Sequence, residues 1–296
     1  MNNRFLDPQA LARVGNMEFV ARQVVEGFVS GRHRSPYHGF SVEYADHREY
    51  SPGDELRTID WKVLARTDKY YVKLYEEETN LRAHLLLDAS ASMAFRGGAS
   101  LDKFSYGAYL AAAISFLLIR QNDAVGLAVF DRAVRKLLPA RSSPIHFRRI
   151  LDGLGESVAH EDTAMAPVLH ELAERVRGRG LVILISDMLD DVDEVMNGLQ
   201  HLRHRRHEVI VFHLIDPAER DFPFERMSRF KDMEGAGELV ANPKALRAKY
   251  MERLEAFLLK LGQECHRNRI GHHLVSTDEP YERFLGEFLE KRARLG

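Results

Sequence analysis

Asp88, Ser90 and Ser92 stand two residues apart at the end of an apolar run, Leu85-Leu86-Leu87. A carboxylate and two hydroxyls at that spacing offer three oxygen ligands to one hard cation. Asp187 closes a second apolar run, residues 181–186, and Thr163 stands just before an amphipathic stretch. Mg²⁺ favours octahedral oxygen coordination and usually keeps some water. One site for Mg²⁺ or Mn²⁺, built from Asp88, Ser90, Ser92, Thr163 and Asp187, has the right donors and leaves room for an outside acidic group. The competing reading is that Asp88 and Ser90 cap the next segment, as Asp and Ser often do.

Other chemistries are less well supplied. An Asp beside Mg²⁺ at a strand end is also how aspartyl-phosphate enzymes begin, so a Mg²⁺-dependent hydrolase or phosphatase using Asp88 is the alternative function. Those enzymes need a second carboxylate two residues later, where this chain has Ser90. A serine nucleophile needs a nearby base such as His, and no Gly-x-Ser-x-Gly elbow surrounds Ser90 or Ser92. No catalytic residue is assigned, and a non-enzymatic role is expected. His201, His204 and His207 recur at helical spacing, but Arg203, Arg205 and Arg206 crowd them with positive charge. A solvated basic face is expected there rather than a zinc site. Gly235-Ala236-Gly237 lacks the third glycine and the leading strand of a dinucleotide fingerprint.

The elements that must position these residues follow from periodicity. Residues 8–28 have helical spacing, with Pro8 at a tolerated helix start. A basic loop spans 30–36. Residues 40–44 and 70–75 read as strands. Between them, 48–61 holds a Pro52-Gly53 turn signal, the only Trp, and many Arg and Asp residues. A buried Arg–Asp network around Trp61 is expected, since Arg pairs carboxylates in a bidentate fork.

From residue 81 strands and helices alternate: strand 81–87, helix 103–121, strands 124–130 and 134–138 joined by a tight turn, helices 144–153 and 165–177, strand 181–186, helix 192–205, strand 209–215, helix 245–268, strand 272–276 and helix 281–293. Such alternation predicts an α/β fold with a doubly wound, mostly parallel sheet and one antiparallel edge strand. The rhythm breaks at about 216–242, read as an insertion carrying a short hairpin. The expected domains are an N-terminal helix and β-rich attachment over 1–80 and the α/β domain over 81–296. In a doubly wound sheet, ligands bind beyond the carboxyl ends of strands where the winding reverses. If 81–87 and 181–186 are neighbours there, Asp88 and Asp187 share one crevice.

The net charge of −2 gives no global reason to expect nucleic acid or an anionic membrane as partner. Cys265 is the only cysteine, so an intramolecular disulfide is excluded and a reducing cytoplasm is expected. It reads as a small packed residue on a helix. The longest apolar stretch, 108–119, is well short of the roughly 20 residues of a membrane span. The expectation is a cytoplasmic protein without direct membrane insertion, free to dock on a membrane partner.

The pattern Asp88-x-Ser90-x-Ser92 with Thr163 and Asp187 resembles the metal-ion-dependent adhesion site of von Willebrand factor A domains. Met188 stands where that family often has Gly, which predicts a differently shaped loop. Upstream, Arg48-Glu49-Tyr50, Gly53-Asp54, Arg57, Ile59-Asp60-Trp61 and Ala65-Arg66 are similar to the signature of one bacterial branch catalogued as a domain of unknown function. The likeness continues through Asp232-Met233-Glu234, Gly237-Glu238 and Thr277-Asp278-Glu279-Pro280, from about residue 40 onward. Genes of that branch commonly lie beside MoxR-type AAA+ ATPases. The resemblance implies a metal-dependent protein-interaction module, an adaptor between a MoxR-type ATPase and client proteins, in which a client's acidic residue completes the metal coordination.

Overall fold

The structure is a computed structural model that describes residues 41–50, 61–67, 69–78, 81–159, 164–231, 233 and 237–295. The expected helix over 8–28, the basic loop over 30–36, residues 51–60 and Thr163 lie outside the described residues. Two units are distinguished, one of His33–Leu81 and one containing Arg82–Leu295.

In the first unit, β1 (Ser41–Glu49) pairs antiparallel with β2 (Tyr71–Glu78), and the register shifts between Tyr44 and Asp46. Such a shift accommodates an extra residue and bends the strand. A short helix, α1 (Trp61–Thr67), lies between them in sequence. Trp61 is 60% exposed, which corrects its expected burial, while the Arg and Asp residues of 51–60 expected around it lie outside the described residues. It opens a helix of barely two turns, and the half-buried positions there are Val63 and Leu64.

The second unit is built on a six-stranded sheet. Its strands are β3 (Arg82–Asp88), β4 (Ala124–Phe130), β5 (Val134–Arg141), β6 (Leu181–Ser186), β7 (Glu208–Ile215) and β10 (Gly271–Ser276), in the order β10-β7-β6-β3-β4-β5. Neighbours are parallel except β4 and β5, which are antiparallel. The predicted strands are all present, as is the predicted direction of β5. β3, β4, β6 and β7 read as near-continuous apolar runs because both faces of the sheet are covered. β8 (Ser228–Lys231) and β9 (Glu238–Ala241) form a separate antiparallel pair.

On one face lies α2 (Lys103–Arg120), capped by Asp102, whose side chain accepts from the Ser105 N–H. A Cβ at Gly107 would come within 2.9 Å of Leu87 and 3.0 Å of Ile185. Glycine there lets the helix lie directly on β3 and β6. The next helix, α3 (Pro144–Glu156), follows the β5 edge in sequence. On the opposite face, α4 (Met165–Arg175) and α5 (Val192–His204) bury Leu169, Leu172, Val195 and Leu199 against Leu86, Leu184 and Val211. A five-residue helix, α6 (Pro217–Asp221), leads out of β7. The long α7 (Pro243–Arg267) adds Leu261 and Cys265 to the core on the α4–α5 face. Cys265 is a packed core residue, as its place on a helix predicts, and burial pushes its thiol up to about 11. The last helix, α8 (Tyr281–Leu295), sets Phe284 and Phe288 edge-on to Phe212, each at 5.0 Å.

The chain passes from β3 to β4 on one side and from β6 to β7 and β10 on the other. The winding therefore reverses between β3 and β6, and a crevice at their carboxyl ends is the place where such folds bind ligands.

Candidate functional site

The register of the two central strands explains what meets at that crevice. Leu87 pairs with Ile185, so Asp88 comes opposite Ser186, and Asp187 follows one residue further out. Ser186 Oγ donates to Asp88 Oδ2 at 2.7 Å. The Ser90 N–H donates to Asp88 Oδ1 at 2.8 Å. Ser90 Oγ and Ser92 Oγ stand 3.1 Å apart. Side chains alternate along a strand, so Asp187 falls on the face of Ile185, which is also the face of α2.

Lys103, the first residue of α2, reaches Asp187 from that face. Its Nζ donates to Asp187 Oδ2 at 2.8 Å and to Glu219 Oε1 at 2.7 Å. It has no exposed side-chain surface. Burial alone would lower its pKa, but Asp187 and Glu219 outweigh that and raise it. Lys103 is therefore a buried ammonium between two carboxylates, and it lies 5.7 Å from the centre of the Phe95 ring.

Glu219 belongs to α6. Asp216 caps that helix by accepting from the Ala218 N–H at 2.7 Å, and Glu219 Oε2 accepts from the Asp216 N–H at 2.9 Å. This reciprocal pair is a capping box. Asp216 also accepts from the Gly97 N–H at 3.1 Å, which ties α6 to the loop after Ser92.

Asp88 differs from Asp187. Among the described residues its partners are an N–H and hydroxyls, none of them a cation. Burial, and then the charge of Asp187, push its carboxyl up to about 7, although bonds from Ser186 and Ser90 oppose the shift. The carboxyl end of the sheet thus holds two buried carboxyl groups near each other, with one ammonium on one of them. A hard divalent cation fits this donor set by its chemistry: oxygens only, two of them hydroxyls beside Asp88, and a deficit of positive charge. Asp88, Ser90, Ser92 and Asp187 could hold it.

Beyond Asp187 the chain turns sharply. Met188 has φ of 57°, the left-handed region that glycine enters most easily. Its N–H donates to Ser186 Oγ at 2.9 Å. The Met165 N–H, at the start of α4, donates to Asp190 Oδ2 at 3.0 Å. A cavity of about 420 Å³ adjoins Ser92, walled by Phe95, Phe222, Phe224, Phe230 and Tyr250.

Of the residues singled out from sequence, Asp88, Ser90, Ser92 and Asp187 come to the same end of the sheet. Lys103, Ser186 and Glu219 were not foreseen. Ser186 was legible as the last residue of an apolar run beside Asp187. Glu219 was legible in the Asp216-x-x-Glu219 capping pattern. The three histidines do not converge. His201 Nε2 pairs with Glu174 at 3.0 Å, and its Nδ1 lies 3.0 Å from His170. His207 is 1% exposed, which corrects its expected place on a solvated face. The cause is that α5 ends at His204 and Arg206 takes φ of 66°, which turns the chain and brings His207 edge to face with His84. Among the described residues no cluster of three or more His, Cys, Asp or Glu side chains forms a metal-binding group. No described helix is long and apolar enough to cross a membrane.

Comparison with known proteins adds a family. The chain matches the family described as Protein of unknown function DUF58 over residues 46–256. It is 30% identical over 226 residues to the uncharacterized protein Rv1480 of Mycobacterium tuberculosis (strain H37Rv), covering 73% of this chain and 68% of that one. It is 30% identical over 139 residues to the uncharacterized protein YeaD of Bacillus subtilis, covering 47% and 32%. Among solved structures it is similar to the conserved hypothetical protein BatB of Bacteroides thetaiotaomicron. That likeness has a TM-score of 0.48 and 17% identity, over 72% of this chain and 99% of that one. An aerotolerance-related membrane protein of Bacteroides fragilis matches with a TM-score of 0.43 and 16% identity, over 71% and 99%.

Proposed function

We propose that this chain, which belongs to the DUF58 family of proteins of unknown function, is a von Willebrand A-like, metal-dependent protein-interaction module and not an enzyme. The observation that carries the reading is the pair of buried acidic groups, Asp88 and Asp187, at neighbouring strand ends, where among the described residues Asp88 has only neutral partners. Burying a charge without compensation is costly, and a divalent cation on Asp88, Ser90, Ser92, Thr163 and Asp187 removes that cost. The bound ion supplies positive charge and an open coordination position for an outside carboxylate. The protein's own groups do the rest. The strand ends fix the two carboxyls, and the Ser186 hydroxyl and Ser90 N–H orient Asp88.

The partner supplying that carboxylate is a client protein, and a cytoplasmic MoxR-type AAA+ ATPase is the companion the family resemblance points to. The hydrolase reading has less support. Among the described residues the bonds of the Ser90 and Ser92 hydroxyls go to each other and to Asp88, and none comes from a histidine base that would make either a nucleophile.

Mn²⁺ titration followed by EPR tests the metal. One bound ion in the wild type, lost in a folded Asp88→Ala variant, is expected. A pull-down of the neighbouring ATPase and its clients then tests the role, and capture that persists in EDTA and in Asp88→Ala would overturn it.

A further inference from the structure

We infer that Lys103 sets the affinity of this centre: its ammonium and a divalent cation are alternative partners for Asp187 Oδ2. The inference rests on the metal reading above and adds a competitor already present in the chain.

Several observations carry it. Lys103 is at the first position of an 18-residue helix, where the helix dipole disfavours positive charge. It is also fully buried, which disfavours an ammonium again. Helix formation and packing would both prefer an apolar residue here, so its place is explained by the carboxylates it meets. It meets two, at 2.8 Å and 2.7 Å, and only Asp187 belongs to the proposed centre. Glu219 is held in place independently of Lys103, because its other oxygen accepts the Asp216 N–H within the capping box. An ammonium has three donors. If a cation claims Asp187, Lys103 keeps Glu219 and the face of Phe95, and no buried charge is stranded.

The consequence is a centre that is neutralised in two ways. Without metal, Lys103 serves Asp187 and Asp88 keeps its bonds from Ser186 and Ser90. With metal, the cation serves both aspartates and Lys103 rests on Glu219. The ammonium opposes metal binding by charge repulsion at close range, and Glu219 relieves that opposition by drawing Lys103 away.

Mn²⁺ affinity of the full chain, measured by EPR titration, tests this in two opposite directions. Lys103→Met, and Lys103→Met with Glu219→Gln to avoid an uncompensated acid, should each bind Mn²⁺ at least about tenfold tighter, well inside the roughly thousandfold that one unit-charge contact at about 4 Å is worth at an effective dielectric of about 20. Glu219→Gln alone should bind it more weakly, since Lys103 is left with Asp187 only. Melting temperature adds a second readout. Lys103→Met should lower it in EDTA and close the gap in saturating Mg²⁺, whereas a purely structural lysine would lower it equally in both.

Mn²⁺ binding in the wild type with unchanged or weaker binding in both Lys103 variants would overturn the inference and leave the metal reading standing. Unchanged or tighter binding in Glu219→Gln would overturn it as well, and that arm decides the matter even if the Lys103 variants fail to fold. An absence of Mn²⁺ binding in the wild type and in folded Lys103 variants alike would remove the metal reading and the inference together.

Discussion

Four aspartates at the carboxyl end of the central sheet and a histidine pair at its amino end are buried by opposite means. At the carboxyl end, Asp88, Asp131, Asp187 and Asp216 follow or close β3, β4, β6 and β7, and all are buried. Each has donors built around it: Arg135 at Asp131, Lys103 at Asp187, the Ala218 and Gly97 N–H groups at Asp216, and Ser90 and Ser186 at Asp88. At the amino end, His84 and His207 meet edge to face at 6.1 Å. His84 Nε2 and His207 Nδ1 are buried there without hydrogen-bond partners. Burial, then His207 and Arg82, push His84 down to about 4. The lesson is that burial without a compensating partner silences a titratable group, as at the histidine pair. Partners arranged around a charge preserve it and make it usable.

Removing a partnered charge should therefore have the largest effect. In Asp187→Ala the Lys103 ammonium loses one of its two carboxylates, and breaking a buried pair costs about 3–5 kcal/mol. A loss of about 4 kcal/mol is expected from urea unfolding in EDTA. A loss below about 1 kcal/mol would break the comparison, because it would mean the acidic end is no better organised than the histidine end.

The next effect concerns pH, and the two ends carry opposite signs. The folded value of Asp88, about 7, lies above the unfolded one of 3.8. Its neutral form is favoured in the fold, so stability is full below about pH 4 and is lost as pH rises to 7. The loss in EDTA follows from proton linkage and is on the order of a few kcal/mol. Asp88→Asn should abolish that slope, and saturating Mg²⁺ should flatten it in the wild type. A wild type equally stable in EDTA at pH 5 and pH 7.5 would remove the strained carboxyl from the account.

His84 gives the smaller swing. Its folded value of about 4 lies below the unfolded 6.5. Stability is full above about pH 6.5 and falls by roughly 2–3 kcal/mol as pH drops to 4. His213, opposite Ser186 at the carboxyl end and pushed down to about 3 chiefly by burial, has the sign of His84 and adds to the same acid loss. His84→Leu should remove only its own share and leave Mn²⁺ binding unchanged. Altered Mn²⁺ binding in that variant would join two ends that the comparison separates.

Much of this architecture was legible in the chain, for reasons tied to particular residues. Leu85-Leu86-Leu87 and the run over 181–186 read as buried parallel strands because both faces of β3 and β6 are covered. Asp88 and Asp187 stood out because a carboxylate ending such a run is out of place unless something uses it. Lys103 was illegible. A lysine opening a helix reads as a solvated residue, and its burial depends on Asp187 and Glu219, 84 and 116 residues away. His207 was misread because periodicity with His201 and His204 runs past the point where Arg206 turns the chain. Trp61 was misread because a lone Trp among Arg and Asp reads as a core residue, and its short helix offers little cover.

The pairing of β3 with β6 also has a kinetic consequence. Asp88 and Ser186 are bonded across 98 residues, while β4 and β5 form a hairpin from adjacent segments. Contacts so distant in the chain are slow to form because a long loop must close first. During synthesis at about 5–20 residues per second, roughly 5–20 s pass between the emergence of Asp88 and that of its partner strand. For that interval one edge of β3 is an apolar strand waiting for a neighbour. The crevice that gathers the two aspartates thus cannot form until Asp187 has emerged, and a nascent chain stalled before residue 181 carries a sticky edge in its place.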